Sequence, residues 1–329
     1  MAAEGVVTVV RRLFVWVLIL GAGAAAGFAA LGAFAGPYVP KLDLLTHFVP
    51  FLAVGVLAAV PALVLRPTRF QVVAALLALT LGVVACGRLM LPAYLYDDLP
   101  ASGAPQPDDL KIIQFNALDG NTRYGPIRAW IIAQNADVVV MEEAPGFGGQ
   151  LEALGYIPSC GICGMAIFTK EKPVWSNSPT SDWRIVRRVA AARFQDRRGA
   201  YTILAVHRGR PTRTARVAQE VADLREMAAR TPAAGNILVG DFNSTPWSAA
   251  LRREEAALSL VRRTRALATW PAEAVSHNKL GFPFPVLPID HVFAGRDWAT
   301  VKVERGPKLG SDHYPVVVTL RRVRNRPPG

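Results

Sequence analysis

"VGDFNSTP", residues 239–246, closes an apolar run that starts in "NILVG" (236–240). A few apolar residues bounded by turn-forming ones predict a short buried strand. That strand ends on Asp241 and Asn243, and period-two alternation places both on one face. One carboxylate at a strand end has an ordinary explanation, as a turn cap or an arginine partner. The ending recurs, however. "LKIIQFN" (110–116) stops on Asn116, "DVVVMEE" (137–143) on Glu142 and Glu143, and "AYTILAVH" (200–207) on His207. Asp290 opens "DHVF" (290–293), and Asp312 with His313 comes just before the strand of "YPVVVTLRR" (314–322). "GMAIFTK" (164–170) reads as a further strand. "PIRAWIIAQNA" (126–136) and "RTARVAQEVADLREMAAR" (213–230) have helical spacing. Strands interleaved with a few helices predict an α/β or α+β layered domain, and buried strand ends that converge at one edge are a usual place for a site.

Ahead of this domain the composition changes. Three hydrophobic stretches, roughly 13–35, 44–65 and 70–92, are each about long enough to cross ~30 Å of hydrocarbon. The first could instead be a signal peptide, because Arg11 and Arg12 precede it and "AFA" stands before Gly36. Arg11, Arg12, Arg66 and Arg69 lie on one side of the three spans. The other side carries Lys41, offset by Asp43, and then Asp97 and Asp98. The positive-inside rule therefore predicts a cytoplasmic N-terminus and a large domain on the outer face. The expected organisation is a membrane anchor over 1–96, a Pro/Gly/Asp linker over 97–109, a catalytic domain over 110–322 and a basic tail over 323–329. Residues 1–109 hold six Lys/Arg and six Asp/Glu, so the whole formal charge of +12 falls on the remainder. A basic domain suits a polyanionic partner, nucleic acid or an anionic membrane surface, although an Arg-rich composition also serves solubility. "CGIC" (160–163) has no second cysteine pair, so it lacks the ligands of a structural zinc site and reads as a loop. Whether Cys160 and Cys163 are joined is left open by the sequence, as is the oligomeric state.

"GDFNSTP" and "GSDHYPV", with "PIDHVF" between them, resemble the endonuclease/exonuclease/phosphatase superfamily over about residues 110–322. The resemblance implies a four-layered α/β sandwich, two packed β-sheets flanked by helices, here preceded by three transmembrane helices. It also implies a Mg²⁺- or Mn²⁺-dependent phosphoesterase. Carried onto this chain, it makes Asn116, His207, Asp241, Asn243, Asp290 and His313 the catalytic set. Glu143 becomes the metal ligand, Asp312 a second one, and Glu142 an alternative because it takes the position where the family has glutamine. Asp119, three residues after Asn116, is given no metal role.

The chemistry agrees with that assignment. Hydrolysis of a phosphate ester needs neutralised non-bridging oxygens and a deprotonated water in line. A hard divalent cation needs one or two carboxylates and keeps several waters. Asp241 can take the proton of the water, Asn243 can donate to the phosphate, and His313 backed by Asp290 can face the same oxygens. His291 neighbours Asp290 on a strand and should point away. Arg213, Arg216 and His277 read as solvated or loop residues, and Trp247 is expected to line the groove. The predicted function is a membrane-anchored phosphodiesterase, nuclease-like, in the inner membrane with its domain on the periplasmic or extracellular side. Anionic phospholipid headgroups are the second substrate class. A catalytically inactive phosphate-binding module is the reading from a different class.

Overall fold

The computed structural model describes residues 2–159, 165–176, 189–272 and 284–323; "CGIC", Trp183, His277 and the tail beyond 323 lie outside them. The chain divides into two compact units, Met1–Tyr96 with Pro246–Arg252, and Asp97–Thr245 with Arg253–Gly329.

In the first unit three helical stretches are long and apolar enough to cross a membrane: Glu4–Ala35 (32 residues), Pro40–Val64 (25) and Arg69–Met90 (22). Small residues, among them Ala22, Ala26, Ala59, Ala62 and Ala75, are buried where these helices meet. Larger ones such as Leu20, Val54, Leu77 and Val83 point outward. Small residues let helix backbones approach closely, and the larger apolar ones suit a lipid environment. Thr68 and Gln71 form a capping box at the start of the third stretch. Asp43 is buried and accepts hydrogen bonds from the Ser248 hydroxyl (2.7 Å) and from the backbone N–H groups of Ala249 (2.8 Å) and Ala250 (3.1 Å). It satisfies the otherwise orphaned donors that open the helix Ala249–Leu258.

Among the described residues the second unit holds twelve strands: β1 Leu110–Asn116, β2 Val138–Glu142, β3 Ile157–Pro158, β4 Met165–Thr169, β5 Trp175–Ser176, β6 Val189–Asp196, β7 Gly199–His207, β8 Asn236–Asp241, β9 Val261–Arg262, β10 Asp290–Ala294, β11 Trp298–Arg305 and β12 Val316–Arg322. They form two mixed six-stranded sheets, ordered β11-β12-β1-β2-β4-β3 and β5-β6-β7-β8-β10-β9. Each sheet has one central parallel pair, β1 with β2 and β7 with β8, inside antiparallel neighbours. Helices Tyr124–Gln134 and Thr214–Ala228 flank the sheets. The expected sandwich is therefore the observed one.

Alternation explains the layers. On β1, Leu110 and Ile112 enter the core between the sheets with Val140, Val239 and Val292. Ile113 and Phe115 pack on the other face with Ile127 and Ile131 of the first flanking helix. Because β2 is buried on both faces, its sequence up to Glu142 reads as a continuous apolar run. Besides the two-residue strands and the single-turn helices, three longer elements escape the sequence reading. These are β6, set among arginines, the half-exposed β11 "WATVKVER", and the short helix Ala249–Leu258.

Candidate active site

Register brings the strand ends together. Asp241, the last residue of β8, sits opposite His207 on β7 and Asp290 on β10. In the other sheet, Asn116 on β1 pairs with Glu142 on β2. The central parallel pairs of both sheets thus end at one edge.

Asp241 is the hub, 1% exposed. Its Oδ1 accepts from the Asn243 backbone N–H (2.8 Å), and its Oδ2 accepts from the side-chain amides of Asn116 (3.2 Å) and Asn243 (3.2 Å). The same oxygen lies 3.8 Å from His313 Nε2 and 3.9 Å from His207 Nε2. The Asn116 amide also donates to Glu143 Oε1 (3.3 Å), which meets His207 Nε2 at 3.3 Å. Behind His313, its Nδ1 contacts Asp290 Oδ2 at 2.8 Å, and Thr269 Oγ1 donates to that oxygen at 2.6 Å. Asp290 Oδ1 accepts from Gln114 Nε2 at 2.8 Å. Ser311 ties the approach to β12 to the end of β1, donating to the Asn116 carbonyl (2.7 Å) and accepting from the His313 backbone N–H (3.0 Å).

Electrostatics sort these groups. The hydrogen bond from His207 holds the Glu143 carboxyl down to about 2, despite partial burial. Burial pushes Asp241 above the usual carboxylate range, partly offset by His313. Burial acts against charge at Asp290 too, but His313, Thr269 and Gln114 outweigh it and keep that carboxyl low. His313 is lowered by burial, yet Asp290 and Asp241 lift it to about 10, so it is a cation at neutral pH. Burial, with Asp290 and Asp241 adding to it, raises Glu142 well above its ordinary value.

Glu142 and Glu143 separate sharply. Glu142 continues the alternation of Val138 and Val140 into the core and is 0% exposed. Glu143 follows in the left-handed region (φ 51°), which turns its side chain back to Asn116 and His207. Asn243 requires a correction. It meets Asp241 not by strand alternation, since β8 has already ended, but through a left-handed turn (φ 48°). Both its amide hydrogens are engaged, one by Asp241 and one by the Arg208 carbonyl (2.9 Å). Trp247, expected to line the groove, is 2% exposed. His291 is fully buried, with Nε2 2.8 Å from the Ser244 carbonyl, and burial lowers it to about 3. Asp312 is 9% exposed and accepts from the Trp270 indole N–H at 3.1 Å.

Gln114, Thr269, Ser311 and Trp270 were not anticipated. Gln114 had a readable signal, a polar residue in the apolar row Leu110–Ile112 on an inward-facing strand. Thr269 and Trp270 lie in irregular chain, where no periodicity marks them.

The donor set fits a hard divalent cation. Glu143 is ionised, 33% exposed at its side chain, and linked through the Asn116 amide to the Asp241 carboxylate. One ligand atom each from Asp241, Asp290 and His313 also lies within 4.8 Å of the others. His313 gives Nδ1 to Asp290 and, when cationic, carries a proton on Nε2 as well, so it is unsuited to ligation. The partly exposed, ionised Glu143 is the better donor.

A model of the Endonuclease/Exonuclease/phosphatase family matches residues 113–313. Among solved structures, the chain is similar to an endonuclease/exonuclease/phosphatase family protein from Leptotrichia buccalis, with TM-score 0.50, 15% identity, and coverage of 64% of this chain and 99% of that one. It is also similar to the human Nocturnin catalytic domain with bound sulfate (TM-score 0.49, 17%, coverage 67% and 97%). A third is a 3' phosphatase from Neisseria bound to product DNA hairpin (TM-score 0.49, 18%, coverage 64% and 98%). No curated protein matches in sequence.

Proposed function

The chain belongs to the endonuclease/exonuclease/phosphatase family of phosphoesterases, and from that premise we propose that it is a membrane-anchored phosphodiesterase that needs a divalent cation. The observation that carries this reading is the setting of Asp241. It is a buried carboxylate with its affinity for protons raised, and two imidazoles and two amides converge on it.

In the proposed reaction Asp241 takes a proton from water, whose oxygen attacks phosphorus as the bond to the leaving oxygen breaks on the opposite side. His313, held cationic by Asp290, faces the developing charge on the non-bridging oxygens. His207 adds a donor on that side, and the Asn116 amide, which donates to Glu143 and Asp241, ties those two carboxyl groups together. Asn243 braces Asp241 and can reach a phosphoryl oxygen only by giving up one of its two bonds. A Mg²⁺ or Mn²⁺ ion held by Glu143, with Asp312 a candidate second ligand, would supply further charge neutralisation at the phosphoryl group.

Nucleic acid is the favoured substrate class, because the net charge of +12 resides entirely outside residues 1–109. Anionic phospholipid headgroups are the second reading, favoured by three candidate membrane spans. The proposed organisation keeps the anchor at 1–96, the linker at 97–109 and the catalytic domain at 110–322. The Lys/Arg asymmetry around the spans supports a periplasmic or extracellular placement.

Asp241→Ala or His313→Ala should lower hydrolysis of bis-p-nitrophenyl phosphate by on the order of 10³-fold in a domain that still folds. Turnover near that of the unaltered chain in either variant would rule the site out.

A further inference from the structure

We propose that Gln114 is a positioning residue for this reaction: its amide, reaching from the first sheet across to the second, holds Asp290 so that His313 faces Asp241. The proposal rests on the functional reading above for its kinetic consequence, and on geometry alone for the placement of His313.

Gln114 Nε2 lies 2.8 Å from Asp290 Oδ1 and 3.1 Å from Glu142 Oε2, so both amide hydrogens go to carboxyl oxygens. Flipping the amide would set its own oxygen against theirs, which fixes its orientation. Asp290 is then held at both oxygens. Gln114 takes Oδ1, while Thr269 and His313 take Oδ2. Without the Gln114 donor the carboxylate is held through Oδ2 alone, so its plane is less tightly set, and with it the line that aims His313 Nε2 at Asp241, 3.8 Å away.

Gln114 is 1% exposed on the face that carries Leu110 and Ile112 into the core between the sheets, and its Oε1 has no hydrogen-bond partner. An unbranched apolar side chain of similar length would fill the space and remove that unsatisfied oxygen, but it would also take the donor from Glu142 Oε2 and from Oδ1 of the buried Asp290. Stability alone therefore does not separate a positioning role from a structural one; kinetics and the setting of His313 do.

The test uses the full-length protein in detergent, with Gln114→Met. Three quantities are read: the thermal unfolding midpoint, kcat and KM for bis-p-nitrophenyl phosphate, and the proton resonance of His313 Nδ1–H in histidine-labelled protein. The expected result is a chain that still folds with a modestly lower midpoint, with kcat lower by roughly tenfold or more and KM changed by less than about threefold. The Nδ1–H resonance should shift or exchange away. Gln114→His, which keeps an N–H donor, should return part of kcat. Unchanged kcat with an unshifted resonance would overturn the proposal. A Gln114→Met chain that unfolds would also overturn it, since the amide would then serve the fold. If the unaltered protein shows no phosphoesterase turnover, the functional reading fails, while the His313 resonance still decides whether Gln114 positions it.

Discussion

His313 carries a charge that its burial alone would deny it. Asp290 and Asp241 raise it to about 10, whereas the unfolded chain titrates near 6.5. The sign follows from proton linkage. Between those two values the folded state binds a proton that the unfolded state has released, so stability falls as pH rises. The stabilisation from His313 is complete below about pH 6.5 and is lost as pH passes through about 10. Asp290 works in the opposite direction. Its carboxyl lies below the ordinary value of 3.8, so its contribution is present above that pH and is lost on further acidification. Thermal unfolding of the catalytic unit between pH 6.5 and 10 should show a decline that flattens in His313→Gln. An identical slope in both proteins would mean that the imidazole is not held as described.

Strands set the site by where they stop. Gly240 shows how little freedom β8 has before Asp241. Its φ is 150°, and a Cβ there would overlap the carbonyl oxygen of Val206 on β7. Gly240→Ala must therefore push β8 off β7, and we expect a loss of about 3 kcal/mol or more in stability together with activity, measurable by denaturant unfolding. A variant of ordinary stability would contradict that packing. The glycine belongs to "GDFN", and this explains how much of the site was legible. Asn116, His207, Asp241, Asp290 and His313 each end or open an apolar run, so the residue type and the strand boundary are visible together. Gln114 falls within a run and reads as a blemish until the second sheet places Asp290 over it. Asn243 and Glu143 were legible as types, but the left-handed turns that aim them were not. Among the elements, β11 and β6 escaped because half-exposed or Arg-flanked strands lack a clean apolar signature.

The sharp division of composition between the two ends of the chain bears on what is cleaved. Three candidate spans precede a domain that carries all of the net positive charge. If nucleic acid is the substrate, neutralising its phosphates releases counterions. KM for DNA or RNA should then rise by about an order of magnitude or more between 50 and 200 mM salt. KM for bis-p-nitrophenyl phosphate should barely change. Salt-independent cleavage of nucleic acid, or turnover only of anionic phospholipid vesicles, would transfer the assignment to the lipid headgroup.

The most direct measurement is the rate of bis-p-nitrophenyl phosphate hydrolysis by the full-length protein, taken with Mg²⁺, after chelation and after Mg²⁺ is restored, in parallel with Asp241→Asn. Hydrolysis should vanish on chelation, return with the ion, and stay absent in the variant throughout. Hydrolysis that survives chelation, or an Asp241→Asn protein as fast as the unaltered one, would contradict a cation-dependent phosphoesterase centred on that carboxylate.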